Sequence, residues 1–178
     1  MARVQFTGQG SLLWVEGATG IADAEAPTAT ELAAGVDLTD LLTRDGLSTP
    51  NTGNTIDLSD AGSLFNKTGR GSHGGDAGSL TFYRDSLAAN DKAWTALEDG
   101  AIGFFVVARF GWKQDTTTGL GTKTDTPTAA DRCEVYPSTI ISRAMNDTAD
   151  NEASKFVVSV GFTDEPQLDA TVAAGSTG

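Results

Sequence analysis

The segment Ala26-Pro27-Thr28-Ala29-Thr30-Glu31-Leu32-Ala33-Ala34-Gly35-Val36-Asp37-Leu38-Thr39 constrains the fold more than any other part of this 178-residue chain. Thr28 with Glu31 three residues on is the spacing of a capping box, in which each residue satisfies the other's free backbone donor. Gly35 stands where a left-handed residue would end the helix. The spacing predicts a helix over 29–34, too short to persist alone. It must dock on the body of the molecule, and it reads as a clip that turns the chain from one strand into the next.

The rest of the chain favours strands. Glycine and threonine are abundant and methionine is scarce, which suits turns and β-surface. At 39% apolar residues the chain can bury a core, and its length fits one domain over 1–178. The net charge of −12 is divided evenly between the two halves. Acidity spread in this way serves solubility. A sharper reading is a surface that must not adhere to a polyanion; nothing resembles the basic stripe of a nucleic-acid binder. A single cysteine, Cys133, excludes an intrachain disulfide and gives no sign of an oxidising compartment. No apolar run of signal-peptide length follows Arg3 before charge returns at Glu16. The longest uncharged apolar stretch, 101–108, is too short to cross a bilayer. The expectation is a soluble protein, made in a cytoplasm, with no membrane insertion.

Along the chain, Ser11 to Val15 reads as a first strand and Val36 to Leu42 as an extended apolar segment. Residues 43–79 read as a long loop, with a turn cluster at Thr49-Pro50-Asn51-Thr52-Gly53 and short strands at 56–58 and 63–65. Leu80 to Arg84 is a clearer strand. Asn90 is expected to cap a second helix over about 91–98, with Asp91 favouring its dipole and Trp94 and Leu97 packed on one face under a sheet. Three long strands dominate the second half. In the first, Ile102, Phe104, Val106, Ala108 and Phe110 alternate with Gly103, Phe105, Val107, Arg109 and Gly111. Arg132 to Arg143 is the second. In the third, Phe156, Val158, Val160 and Phe162 alternate with Val157, Ser159, Gly161 and Thr163. One face is large and apolar and the other smaller and more polar, as in a sheet covered on one side. Residues 113–131 form a second long loop, of a length that is either mobile or part of an interface. Residues 1–10 and 167–178 hold few core-forming side chains and read as N- and C-terminal arms, mobile in a free subunit.

Candidate chemistry fails at each position. Gly69-Arg70-Gly71-Ser72-His73-Gly74 has the GxGxxG spacing, but a dinucleotide site needs a strand before it and a helix after it; a flexible loop is the better reading. Ser72 beside His73 lacks the glycine two residues earlier that a nucleophile elbow requires. One Cys and one His are too few for a zinc site. Asn146-Asp147-Thr148-Ala149-Asp150-Asn151-Glu152 is oxygen-rich but lacks the EF-hand order and reads as an exposed turn. Cys133 alternates with Val135 and packs in the core; Trp14 and Trp112 read as core or rim, with an exposed tryptophan as a possible interface anchor. No catalytic, cofactor-binding or metal-ligating residue emerges.

The order of these segments resembles the major tail proteins, or tail tube proteins, of long non-contractile-tailed bacteriophages, especially those of actinobacterial hosts. Four parts carry the resemblance: Phe6 through Val15 with Trp14; the clip from Ala26 to Thr39; Leu80-Thr81-Phe82-Tyr83-Arg84-Asp85 with the capped helix and Gly100 to Val107; and Arg132 to Arg143 with Glu134-Val135-Tyr136-Pro137, then Phe156 to Thr163 and Glu165-Pro166. Segments 66–79 and 113–131 carry none of it. The resemblance implies an α+β, mainly β, sandwich or barrel with one or two short flanking helices. It implies six copies joined edge to edge in a ring, and rings stacked into a tube in the virion tail. The partners implied are sister copies, a tape-measure protein in the lumen, tail terminator and distal tail proteins, and double-stranded DNA in transit. It brings no catalytic residue. On physical grounds, the half-polar face with Ser159, Gly161 and Thr163 suits a water-filled channel, and acidic groups on that wall would repel DNA phosphates. The competing readings are a tube protein of a contractile injection or secretion system and a β-sandwich carbohydrate- or receptor-binding module; the latter predicts clustered exposed aromatics.

Overall fold

The clip and its flanking strands build the first edge of the molecule. In the computed structural model, which describes residues 10–48, 52–57, 68–74, 78–146 and 153–174, β1 (Ser11–Glu16) leads through α1 (Ala29–Ala33) to β2 (Val36–Asp37), which pairs antiparallel with β1. The capping box is formed. The Glu31 N–H donates to Thr28 Oγ1 at 3.2 Å, and the Thr28 N–H donates to Glu31 Oε2 at 2.7 Å. The helix does not end as expected, because Gly35 is not left-handed. A Cβ at Gly35 would lie 3.0 Å from Val15 Cγ2 and 3.1 Å from the Trp14 carbonyl oxygen. Glycine is there so that the turn can pass close over β1. The apolar segment that follows is only partly extended, with a 3-10 turn over Thr39–Leu41.

Residues 43–79 are not one loop. They hold β3 (Leu42–Ser48), β4 (Thr52–Asp57), β5 (Thr68–Gly74) and the start of β6 (Gly78–Tyr83). β4 and β5 pair as a two-stranded sheet, so the GxGxxG-like segment is a strand and not a flexible loop. β3 pairs with β6, with Leu47 opposite Leu80 and Ser48 opposite Ser79. The expected strand at 63–65 lies outside the described residues. α2 (Lys92–Ala96) is capped by Asp91, not Asn90. The Asp91 side chain makes no capping bond; its Oδ2 accepts from Arg84 Nε at 2.8 Å.

β7 (Ile102–Ala108), β8 (Arg132–Met145) and β9 (Lys155–Phe162) are the three long strands of the second half. The sheet runs β2-β1-β7-β8-β9-β6-β3, antiparallel at every step. β10 (Gln167–Thr171) pairs with the first residues of β8. Ala170 and Val172 are buried, so the expected C-terminal arm is in fact structural from 167 to 173; of the expected N-terminal arm, 1–10, all but Gly10 lies outside the described residues.

The sheet curls around a first core of Leu12, Trp14, Phe82, Phe105, Tyr136, Ile140, Phe156 and Val158, which also takes in Ala93 and Leu97 from the α2 region. Trp94 packs edge-on against Phe156 at 5.1 Å. A second core lies on the other side of β1, β7 and the first half of β8. There α1, Ile21 and β10 cover Leu13, Phe104, Val106, Cys133 and Val135. β7 is therefore buried on both faces, which corrects the one-sided reading for this strand. Its continuous apolar run Phe104-Phe105-Val106-Val107 is what a doubly covered strand requires.

Candidate functional site

Beyond Ile102 and Thr139 the second covering layer stops, and one face of the sheet lies open. The residues on it follow from alternation and register. β9 gives Lys155, Val157, Ser159 and Gly161; β6 gives Ser79, Thr81 and Tyr83; β3 gives Ser48. β8 gives Thr139, Ile141, Ser142 and Ala144. Ser142, Ser159, Ser79 and Ser48 stand opposite one another as a rung across four strands. The opposite side of the same strands is the first core, where Phe156, Val158 and Val160 are buried. The half-wet sheet expected from the third strand is thus real for β9, β6 and the second half of β8.

The chemistry of this face differs from expectation. None of its described positions carries a carboxylate, so the acidic wall anticipated from the net charge is absent at these positions. Among the positions just named the one charge is Lys155, at an end of the face, with its ammonium 5.8 Å from the Tyr83 ring centroid. The face is otherwise hydroxyl, small aliphatic or glycine. Ile141 and Ile102, about half exposed, sit where the covered and open parts of the sheet meet.

Two strand edges flank the open face. β3 is the last strand of the sheet on one side. On the other, β7 pairs with β8 only as far as Thr139, and among the described residues no strand flanks β8 over 141–145. Because β8, β9, β6 and β3 alternate in direction, the two free edges run oppositely.

The 113–131 segment is a loop, as expected, but it is tied down. Buried Asp131 accepts from the Lys113 N–H (2.9 Å), the Gln114 N–H (2.7 Å), the Thr128 N–H (2.8 Å) and the Thr128 hydroxyl (2.9 Å). Lys123 pairs with Asp40 at 2.5 Å, which links the loop to the 3-10 turn. Trp112 and Trp14 are both buried, so neither is an exposed anchor.

The remaining candidates do not converge. Among the described residues no three His, Cys, Asp or Glu side chains gather as a metal site. Ser72 and His73 lie in β5, and 147–152 lies outside the described residues. Cys133 is buried, and its thiol is pushed up to about 12, first by burial and then by Asp131 and Glu134. A slot lined by Leu47, Leu80, Phe105, Val107, Tyr136 and Phe162 is apolar. Among the described residues no helix is long and apolar enough to cross a membrane.

Comparison with known proteins agrees with this architecture. A family model described as "Phage tail tube protein" matches residues 1–175. No curated protein matches. Among solved structures, a chain of the anti-feeding prophage baseplate has a TM-score of 0.57 at 9% identity, over 97% of this chain and 98% of that one. A chain of the tail of an empty gene transfer agent particle has a TM-score of 0.52 at 13% identity, over 95% and 100%. A chain of the SPP1 tail tube has a TM-score of 0.52 at 13% identity, over 96% and 81%. These likenesses are of fold.

Proposed function

The chain belongs to the phage tail tube protein family, a structural component of the virion tail that self-associates into a tube, and from that membership we propose how its sheet makes the tube wall. The β3 edge of one copy joins the free edge of β8 in the next, six copies close a ring, and rings stack. The four-stranded open face then lines the lumen. The genome passes over it to the host, after a tape-measure protein has occupied the same space during assembly. Tail terminator and distal tail proteins cap the two ends.

The observation that carries this reading is the pair of oppositely directed free edges beside a half-wet face. A sheet edge left open invites pairing with another chain. Four antiparallel strands are an even number, so a rotated second copy meets the first with opposite strand direction. The seam is then antiparallel like the rest of the sheet, and ring closure leaves neither of these two edges open.

A cysteine in place of Ser159 tests the assignment, because the native thiol is silent in the background. Burial and the raised pKa of Cys133 leave almost no thiolate at neutral pH, and the thiolate is the reactive form. A Ser159→Cys protein assembled into tubes should react with a small maleimide and resist a bulky polyethylene-glycol maleimide. The free subunit should react with both. Equal reaction of the bulky reagent with tubes and subunits would place this face outside the lumen and refute the reading.

A further inference from the structure

Where β7 parts from β8, a side chain stands in for a strand. The Gly100 N–H donates to the Ile140 carbonyl and the Ile140 N–H to the Ala101 carbonyl, each at 2.8 Å. They extend the ladder just past its last pair, Ile102 with Thr139. The register then shifts between Ile140 and Ser142. The Arg143 N–H beyond that shift donates to Asp99 Oδ1 at 2.9 Å. Gly100 adopts a left-handed backbone (φ 84°), with no atom within 4 Å of where a Cβ would be, and so folds the turn that brings Asp99 alongside. The Arg143 side chain is engaged elsewhere: its guanidinium lies 4.1 Å from the Trp94 ring centroid, and Nη1 donates to the Trp94 carbonyl at 2.5 Å. Ser142, Ala144 and Met145 are exposed. Asp99 thus caps the middle of the one stretch of β8 that no described strand flanks.

We propose that Asp99 is an edge guard: in the free subunit its carboxylate occupies the main-chain N–H through which β8 pairs with β3 of a second copy, and it is displaced when the seam forms. Charged groups along an edge are a general means of preventing indiscriminate strand pairing. A carboxylate is a stronger acceptor than the peptide carbonyl that must replace it. Pairing at this rung therefore exchanges a better bond for a poorer one and must be driven by the rest of the seam. A lone encounter between two subunits gains one incomplete seam. A subunit arriving at a growing tube gains contacts with neighbours beside and below it, so the guard favours growth over spontaneous initiation. The inference rests on the β3–β8 seam proposed above.

Assembly of the purified full-length chain, followed by light scattering and pelleting, tests it with three variants. Asp99→Ala should lower the critical concentration about tenfold and shorten the lag, since it removes a charge-assisted bond that must be broken. Asp99→Asn keeps Oδ1 as a neutral acceptor and should fall between that variant and wild type. Glu98→Ala, in the same exposed turn, removes an equal charge and should change assembly far less than Asp99→Ala. A folded Asp99→Ala chain that assembles no more readily than wild type overturns the guard. A cryo-electron microscopy map of wild-type tubes needs no variant and decides even if Asp99→Ala fails to fold. The expected map shows a β3 strand alongside β8, with Asp99 turned away from the Arg143 N–H. A map with that seam formed and Asp99 still on Arg143 overturns the guard alone. A map in which copies join elsewhere overturns the seam reading, and the guard with it.

Discussion

At Gly103 a Cβ would fall 2.4 Å from the Val15 carbonyl oxygen and 2.8 Å from the Trp14 ring. The first of these atoms is backbone in a paired strand and cannot swing aside, and the second belongs to a side chain buried in the first core. Gly103→Ala is therefore expected to cost about 3 kcal/mol, the upper part of the range for overpacking a core, read as a lowered urea midpoint with an unchanged slope. Glu31 makes a second residue-scale prediction, in pH. Partial burial pushes its pKa up, but bonds from the Thr28 N–H, the Ala22 N–H and the Thr28 hydroxyl outweigh this and hold it below the ordinary 4.5. A lowered folded-state pKa means stability that is present above the unfolded value and lost as pH falls through the folded one. Glu31→Gln should flatten the acid limb of a denaturation-versus-pH curve below about 4.5. The Thr28–Glu31 pair was legible in the sequence because both partners and the bonds between them are local. The role of Gly35 was not, since the atoms it must clear belong to β1, some twenty residues earlier.

The same distinction between local and distant causes explains which elements could be read. β1, β7 and β9 declare themselves by alternation or by a continuous apolar run. β3 to β5 do not: Thr68-Gly69-Arg70-Gly71-Ser72-His73-Gly74 has no apolar period, and β5 is paired with β4 through its backbone. β10 was missed for a related reason. Gln167-Leu168-Asp169-Ala170-Thr171 offers one small apolar residue to the interior, and a register shift breaks its alternation. Its importance lies in its partners. Ala170 stands opposite Cys133, and the Val172 N–H donates to the Asp131 carbonyl at 2.8 Å. A chain ended after Pro166 should lose the cover over Cys133 and Val135. It should unfold at least 3 kcal/mol more easily, the scale of one large core deletion, where removing a mobile arm would cost nothing. Reaction of Cys133 with a disulfide reagent in the folded truncated protein gives a direct readout, since the buried thiol is otherwise out of reach.

For the whole molecule the question is where a net charge of −12 acts, given that the open face carries no acidic group at its described positions. In the proposed tube, repulsion of the cargo from these positions is not electrostatic. A wall of hydroxyls and small side chains, held by a sheet, offers DNA or protein few partners of any kind. The charge instead acts between copies, each carrying −12, across separations comparable to a subunit's own width. Like charges at that spacing oppose assembly, and salt screens them: the Debye length falls from about 30 Å at ~0.01 M to about 8 Å at ~0.15 M ionic strength. The critical concentration for assembly should therefore fall several-fold over that interval and change little beyond it, once the repulsion between whole subunits is screened. Pelleting of polymer against sodium chloride concentration measures this. A critical concentration that rises with salt would mean that opposite charges paired across the seam, of the kind seen within the chain at Lys123 and Asp40, outweigh the like-charge repulsion between subunits.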